Sequence, residues 1–301
     1  GERNMKAWGP ILTTTDFSGP ARHAADRAAR LARESGSPLT LMHVMPGEAL
    51  TELRQWLGAG HATEGRLMDA SLQQLQQLAE SLRTQQQITV HVVESSGSVL
   101  DEIRRQADAL DARLLVLGAR GAGFLRRLVL GSTSERLLRR TSRPVLVVRQ
   151  TPHEPYRRVL LALDFSPWSM QAVAVALRVA PHARFVLLNA FQVPFEDKLR
   201  YAGVDAATID HYRDQARAEA VQRVNAFAAQ TGLKPGQWEA CVIEGDASQR
   251  IVEQEQERDC DLVVLGKHGQ TATEDLLLGS VTNHVLAEGS ADVLVSTARA
   301  V

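Results

Sequence analysis

Cysteine is scarce in this chain of 301 residues: only Cys241 and Cys260 are present, both in the second half. Two thiols are not a disulfide framework, and they form no CxxC pair for a metal or a redox couple. Both are expected as buried thiols inside strands. Excess charge is also missing, since 34 Lys and Arg offset 35 Asp and Glu for a formal net charge of −1. Nothing global therefore draws DNA, RNA or an anionic membrane. No run reaches the roughly 18 apolar residues of a membrane span. Residues Gly1 to Pro10 lack the apolar core of a secretory signal. The expectation is a cytoplasmic protein with neither nucleic acid nor membrane as partner. Several catalytic signatures are missing too. No GKS or GKT follows a glycine loop, GxGxxG is lacking at the first strand–helix turn, and neither HExxH nor HxGH occurs. A dedicated fast enzyme is not expected, and no catalytic residue is assigned.

What is present is repetition. "ILTTTDFS" (Ile11 to Ser18) reappears as "VLLALDFS" (Val159 to Ser166), "DARLLVLGARG" as "DCDLVVLGKHG", and "VLGSTSERLL" as "LLGSVTNHVL", all at one 148-residue offset. Two copies of one unit explain this. The joint falls near Arg149 to Arg157, a polar stretch with two prolines. The domains are therefore placed at residues 1–150 and 151–301.

Within each copy, short apolar runs alternate with helix-patterned segments. Strands are expected at Pro10–Thr15, Leu39–Val44, Ile88–Glu94, Arg113–Gly118 and Pro144–Arg149, then at Arg157–Leu163, Arg184–Ala190, Gln237–Ile243, Asp261–Gly266 and Asp292–Ser296. Runs such as "LLVLG" and "VLVV" lack polar alternation, as expected of strands covered on both faces. Met68, Leu72, Leu75, Ala79 and Leu82 make one apolar helical stripe. The fold class is α/β: two tandem doubly wound domains, each a five-stranded parallel sheet flanked by helices. With the strand order 3-2-1-4-5, two strands separate Cys241 from Cys260, too far for a disulfide.

A doubly wound sheet binds ligands beyond the C-terminal strand ends, where the order reverses. In that order the reversal lies between the first and fourth strands. The first strand ends in Asp16 or Asp164, the fourth in Gly118 or Gly266. From Gly118 the chain continues through Gly121, nine further residues, Gly131 and Ser132. From Gly266 it continues through Gly269, nine further residues, Gly279 and Ser280. Glycines let a ligand approach bare backbone, and a helix opening at the last glycine offers free N–H groups to an anion. Ser132 with Glu135 also spells a capping box, which needs no ligand. The same spacing occurring twice favours a binding loop.

At these residues the chain resembles the universal stress protein family in its tandem two-domain form. The resemblance covers nearly the whole chain, once per half. It implies an adenine nucleotide, ATP, ADP or AMP, in each half. Asp16 and Asp164 would face the adenosine, Val44 and Ala190 would lie along adenine, and Gly118 and Gly266 would approach the ribose. Gly121, Gly131, Ser132 and Thr133 would hold phosphates, as would Gly269, Gly279 and Ser280, with Mg²⁺ as a possible companion. Val281 replaces Thr133, and Phe17 and Phe165 stand where many members have glycine. Arg120, Arg126 and Arg127 make the first loop more basic than the second, which carries Lys267 and His268 beside Glu274 and Asp275. If these side chains face the ligand, the first site attracts phosphate more strongly; if they form a solvated helix face they do not distinguish the two, and both sites are expected to be competent. Two alternatives stay open: slow ATP hydrolysis by the same loops, and an interaction scaffold without ligand. The resemblance also implies pairing through the fifth strands, so the halves would form an intramolecular pseudo-dimer, with a homodimer of whole chains possible and the protein partner unassigned. Trp56, Phe195 and Tyr201 are expected to pack in the core rather than cover a cleft or meet a partner.

Overall fold

The computed structural model describes residues 8–58, 61–119, 133–266 and 279–296. The chain divides into two compact units, Gly1–Pro155 and Tyr156–Val301. The first unit runs β1 (Ile11–Thr14), α1 (Gly19–Ser35), β2 (Leu39–Pro46), α2 (Gly47–Leu57), α3 (His61–Gln86), β3 (Val90–Gly97), α4 (Val99–Leu110), β4 (Leu114–Gly118), α5 (Thr133–Arg140) and β5 (Val145–Val148). The second runs β6 (Arg158–Ala162), α6 (Ser169–Val179), β7 (Arg184–Phe191), α7 (Glu196–Tyr201), α8 (Ala206–Ala229), β8 (Trp238–Glu244), α9 (Ala247–Glu257), β9 (Leu262–Gly266), α10 (Ser280–Glu288) and β10 (Asp292–Ser296).

Every pairing within a unit is parallel. The orders are β3-β2-β1-β4-β5 and β8-β7-β6-β9-β10, the expected 3-2-1-4-5 in both. The apolar runs explain why. Val145, Leu146 and Val147 of β5 are fully buried, as are Leu262, Val263 and Val264 of β9, because helices cover both faces. Burying each such side chain is worth about 1.5–3 kcal/mol. Parallel strands then place all strand exits of a unit along one edge of its sheet.

Local signals set the helices that shape this edge. Ser18 caps α1 by accepting from the amide of Ala21, Pro20 sits in the first turn, and Gly36 closes the helix in the left-handed conformation. α6 is shorter and has no side-chain cap. The connection from β6 to β7 is correspondingly two residues shorter than that from β1 to β2. Ile11 pairs with Leu39 where Val159 pairs with Phe185. Val44 therefore corresponds to Ala190, and His43 to Asn189.

Three expectations need correction. The first strands stop at Thr14 and Ala162, two residues before the aspartates expected to end them. The apolar stripe of α3 is buried only from Leu75 onward, and Met68 and Leu72 are half-buried. Trp56, Phe195 and Tyr201 do not enter the core; they are 86%, 70% and 96% exposed. The reason is local: α2 and α7, the short helices after β2 and near the end of β7, bury no residue. Cys241 and Cys260 are free and buried, on β8 and just before β9, with β7 and β6 between those strands. Burial pushes the Cys260 thiol up to about 12.

Candidate functional site

The first and sixth strands end in matching turns. Oδ1 of Asp16 accepts from the amide of Ser18 at 3.0 Å, and Oδ1 of Asp164 from that of Ser166 at 2.9 Å. An aspartate bonding the backbone two residues on competes with the strand ladder, which is why both strands stop early. Oδ1 of Asp164 also lies 3.3 Å from Oγ of Ser169. Both aspartates are exposed at the strand-exit edge. The next residue in each unit is a phenylalanine in the left-handed region, Phe17 at φ 65° and Phe165 at φ 57°. A bulky side chain there costs about 1 kcal/mol or more. The two rings are held differently. Phe17 packs on the His43 imidazole at 4.6 Å, and Phe165 lies under the Arg223 guanidinium at 4.1 Å.

The adjoining strands, β4 and β9, end in Gly118 and Gly266. Gly118 is required by space rather than by φ. A Cβ there would lie 2.9 Å from the Pro20 carbonyl oxygen and 3.2 Å from the Ala21 backbone, in the first turn of α1. Gly266 uses its carbonyl to accept from the Thr282 hydroxyl at 3.1 Å, a bond that ties the start of α10 to the exit of β9. Gly279 caps α10 at φ −59°, a conformation open to any residue, and among the described residues no side chain caps this helix. Ser280 is its first residue, as the spacing requires. In the first unit α5 opens at Thr133. Gly121, Gly131, Ser132 and Gly269 lie outside the described residues, as do the charged residues of both loops that were to rank the two sites.

The β2 and β7 exits complete each edge. Val44 is 7% exposed and Ala190 half-buried. Asp16, Val44 and Gly118 thus stand at or just past the exits of the adjacent strands β1, β2 and β4. Asp164, Ala190 and Gly266 do the same for β6, β7 and β9.

Beside Val44 the first unit has a buried polar cluster that periodicity does not reveal. Nδ1 of His43 lies 2.8 Å from Oε1 of Glu94 and 2.8 Å from Oγ of Ser71, which itself donates to Oε1 at 3.0 Å. In the second unit Asn189 instead donates from Nδ2 to the Leu163 carbonyl at 2.9 Å. His43 and Asn189 occupy matched positions in the two units. Gly97 and Gly245, at the ends of β3 and β8, adopt φ 131° and 137°, which do require glycine. In the first unit, Gly47, Thr51, Arg54, Ser96 and Gly97 also border an open cavity of about 630 Å³ between α2 and the β3 exit.

Fold and edge together define the class: a tandem pair of doubly wound α/β domains, with aspartate and glycine brought together in each at the point where strand order reverses. A family model described as the universal stress protein family matches residues 8–149 and again 155–297. The chain belongs to the universal stress protein family. It is 28% identical over 305 residues to a universal stress protein of Mycolicibacterium smegmatis, covering 95% of this chain and 96% of the relative. It is 28% identical over 268 residues to one of Mycobacterium bovis, covering 86% and 87%. The crystal structure of a universal stress protein from Archaeoglobus fulgidus shares the fold at a TM-score of 0.67 and 17% identity, covering 97% of this chain and 99% of that one. Among the described residues no helix is long and apolar enough to cross a membrane.

Proposed function

We propose that each unit binds an adenine nucleotide, ATP, ADP or AMP, and that the protein acts in a stress response through nucleotide occupancy. The observation that carries this reading is the β9–α10 junction. A helix start that no side chain caps among the described residues is tethered by the Thr282 hydroxyl to Gly266, at the strand exit next to Asp164. Uncapped amides with the helix dipole behind them favour an anion. In this reading Gly279 and Ser280 hold phosphates with Gly269, and Mg²⁺ accompanies the phosphates as their counter-ion. The ribose lies by Gly266, and the base runs toward Ala190 past Asp164. Gly118, Gly121, Gly131, Ser132, Thr133, Asp16 and Val44 take the same roles in the first unit.

Mass spectrometry of small molecules released by denaturing the purified full chain tests this. An adenine nucleotide in the released fraction is expected. Release of a different ligand class, with no adenine nucleotide, would overturn the reading.

A further inference from the structure

The two units differ in the gap between the short helix after the second strand and the exit of the third. In the second unit an arginine fills it. Arg213 on α8 reaches Glu196 at the start of α7 at 2.6 Å and Glu244 at the end of β8 at 2.8 Å, and also meets Asp210 at 2.6 Å. Met42 pairs with Val93 where Leu188 pairs with Cys241, so Ser96 corresponds to Glu244 and Gly97 to Gly245. Superposing the buried stripes of the long helices, Leu75, Ala79 and Leu82 on Ala220, Val224 and Phe227, matches Met68 with Arg213. The first unit therefore has neither the arginine nor the carboxylate at the strand end. Its gap stays open as the cavity of about 630 Å³ between α2 and Ser96–Gly97.

The walls of this cavity suit a cation. At about 3.6 residues per turn, Gly47 and Thr51 face its middle, Glu48 and Glu52 lie along one side, and Leu50 and Arg54 along the other. Glu48 and Glu52 are one turn apart on the same helix face, where like charges repel. Neither has an ion-pair or hydrogen-bond partner among the described residues. Arg54 is already matched: its Nη2 donates to Oε2 of Glu64 at 3.1 Å, and its Nε to Oε1. The Thr51 hydroxyl donates to the Gly47 carbonyl at 3.0 Å, which leaves its oxygen able to accept. The volume falls in the range that holds a drug-sized ligand, so a head group can enter together with its stem.

We infer that this cavity of the first unit takes a guanidinium group from outside the chain, carried by an arginine of a protein segment or by a free guanidino compound. The head group meets Glu48 and Glu52, the Thr51 oxygen accepts a further N–H, and the aliphatic stem lies along Leu50. The second unit shows the chemistry with its own side chain, because the matching gap holds a guanidinium between carboxylates of a short helix and a strand end. A planar fork of donors suits a pair of carboxylates better than the point charge of an ammonium does. The inference does not depend on the adenine-nucleotide reading.

NMR titration of the full chain with agmatine, a terminally blocked Gly-Arg-Gly peptide and its Gly-Lys-Gly analogue tests the assignment. Saturable shifts of the Thr51 and Gly97 amides are expected with both guanidinium ligands, while the Gly245 amide, at the filled gap, stays in place. The arginine peptide is expected to bind about fivefold or more tightly than the lysine peptide. An arginine peptide that binds more tightly than agmatine marks a protein segment as the source, and one that binds no more tightly marks a free guanidino compound. The shifts are expected to disappear in the Glu48→Gln, Glu52→Gln double variant. They are also expected to disappear in the Met68→Arg, Ser96→Glu double variant, which recreates the filled gap with both cavity glutamates intact. No shift at Thr51 and Gly97, equal affinity for the lysine peptide, or shifts that persist in either double variant overturn the site.

Discussion

Gly118→Ala is expected to destabilise the first unit by about 1–3 kcal/mol, although it adds a single methyl group. The new Cβ would sit 2.9 Å from the Pro20 carbonyl oxygen and 3.2 Å from the Cα and amide nitrogen of Ala21. Those are backbone atoms, so no rotamer change relieves the contact. The first turn of α1 cannot shift freely, because Ser18 caps it and Ala21, Ala24, Ala25 and Ala28 are packed in the core. Either β4 or α1 has to move. Asp16 and Phe17 lie just before α1, so a shift there also deforms the crevice. Hydrogen exchange, which reads each unit separately, is expected to show faster opening in the first unit and no change in the second. Gly19→Ala is the control. A Cβ at Gly19 meets nothing within 4 Å, and its effect is expected within about 0.5 kcal/mol.

Glu255→Ala is expected to cost the second unit about 2–4 kcal/mol. This side chain on α9 is 2% exposed. Its Oε1 accepts from the amides of Ser290 and Ala291 and from the Ser290 hydroxyl. The bonds fasten the turn between α10 and β10 to α9. Removing the carboxylate strands donors in a buried place, and each bond to a charged acceptor is worth about 1.5–3 kcal/mol. Part of this is offset, because Oε2 is buried with no hydrogen-bond partner among the described residues and its desolvation is relieved. Glu255→Gln keeps an acceptor oxygen and discards the buried charge, so it is expected to lose less. Chemical denaturation followed at Trp238, the first residue of β8, gives the comparison. An alanine variant as stable as the parent would mean that the buried charge costs as much as its bonds return.

The architecture was legible because its signals are local. Unbroken apolar runs marked β4, β5, β9 and β10, and the duplicated offset linked equivalent strands. Asp292–Ser296 was placed to the residue. The site was legible only in part. Asp16, Gly118, Asp164 and Gly266 stand at the strand exits as spacing implied, yet the reason for Gly118 is the approach of α1, which lies about a hundred residues earlier in the chain. The left-handed Phe17 and Phe165 had no local signature, since such a backbone is disfavoured for phenylalanine. In Phe17 it is held by Thr15 Oγ1, which accepts from the Phe17 amide at 3.0 Å, and by the imidazole under the ring. The His43–Ser71–Glu94 cluster joins two strands and a helix, and Arg223 reaches a ring 58 residues away in sequence. Such contacts follow from tertiary packing, to which periodicity is blind. The same blindness put Trp56 and Tyr201 in the core: side-chain type suggested burial, but the helices that carry them pack against too little.

The central claim is that both strand-exit edges bind an adenine nucleotide through main-chain amides. Equilibrium titration of the ligand-free full chain with ATP and Mg²⁺ tests it most directly. Two equivalents per chain are the predicted stoichiometry, with one lost in Asp16→Ala and the other in Asp164→Ala. Failure of ATP to bind at any concentration up to the millimolar range would contradict it.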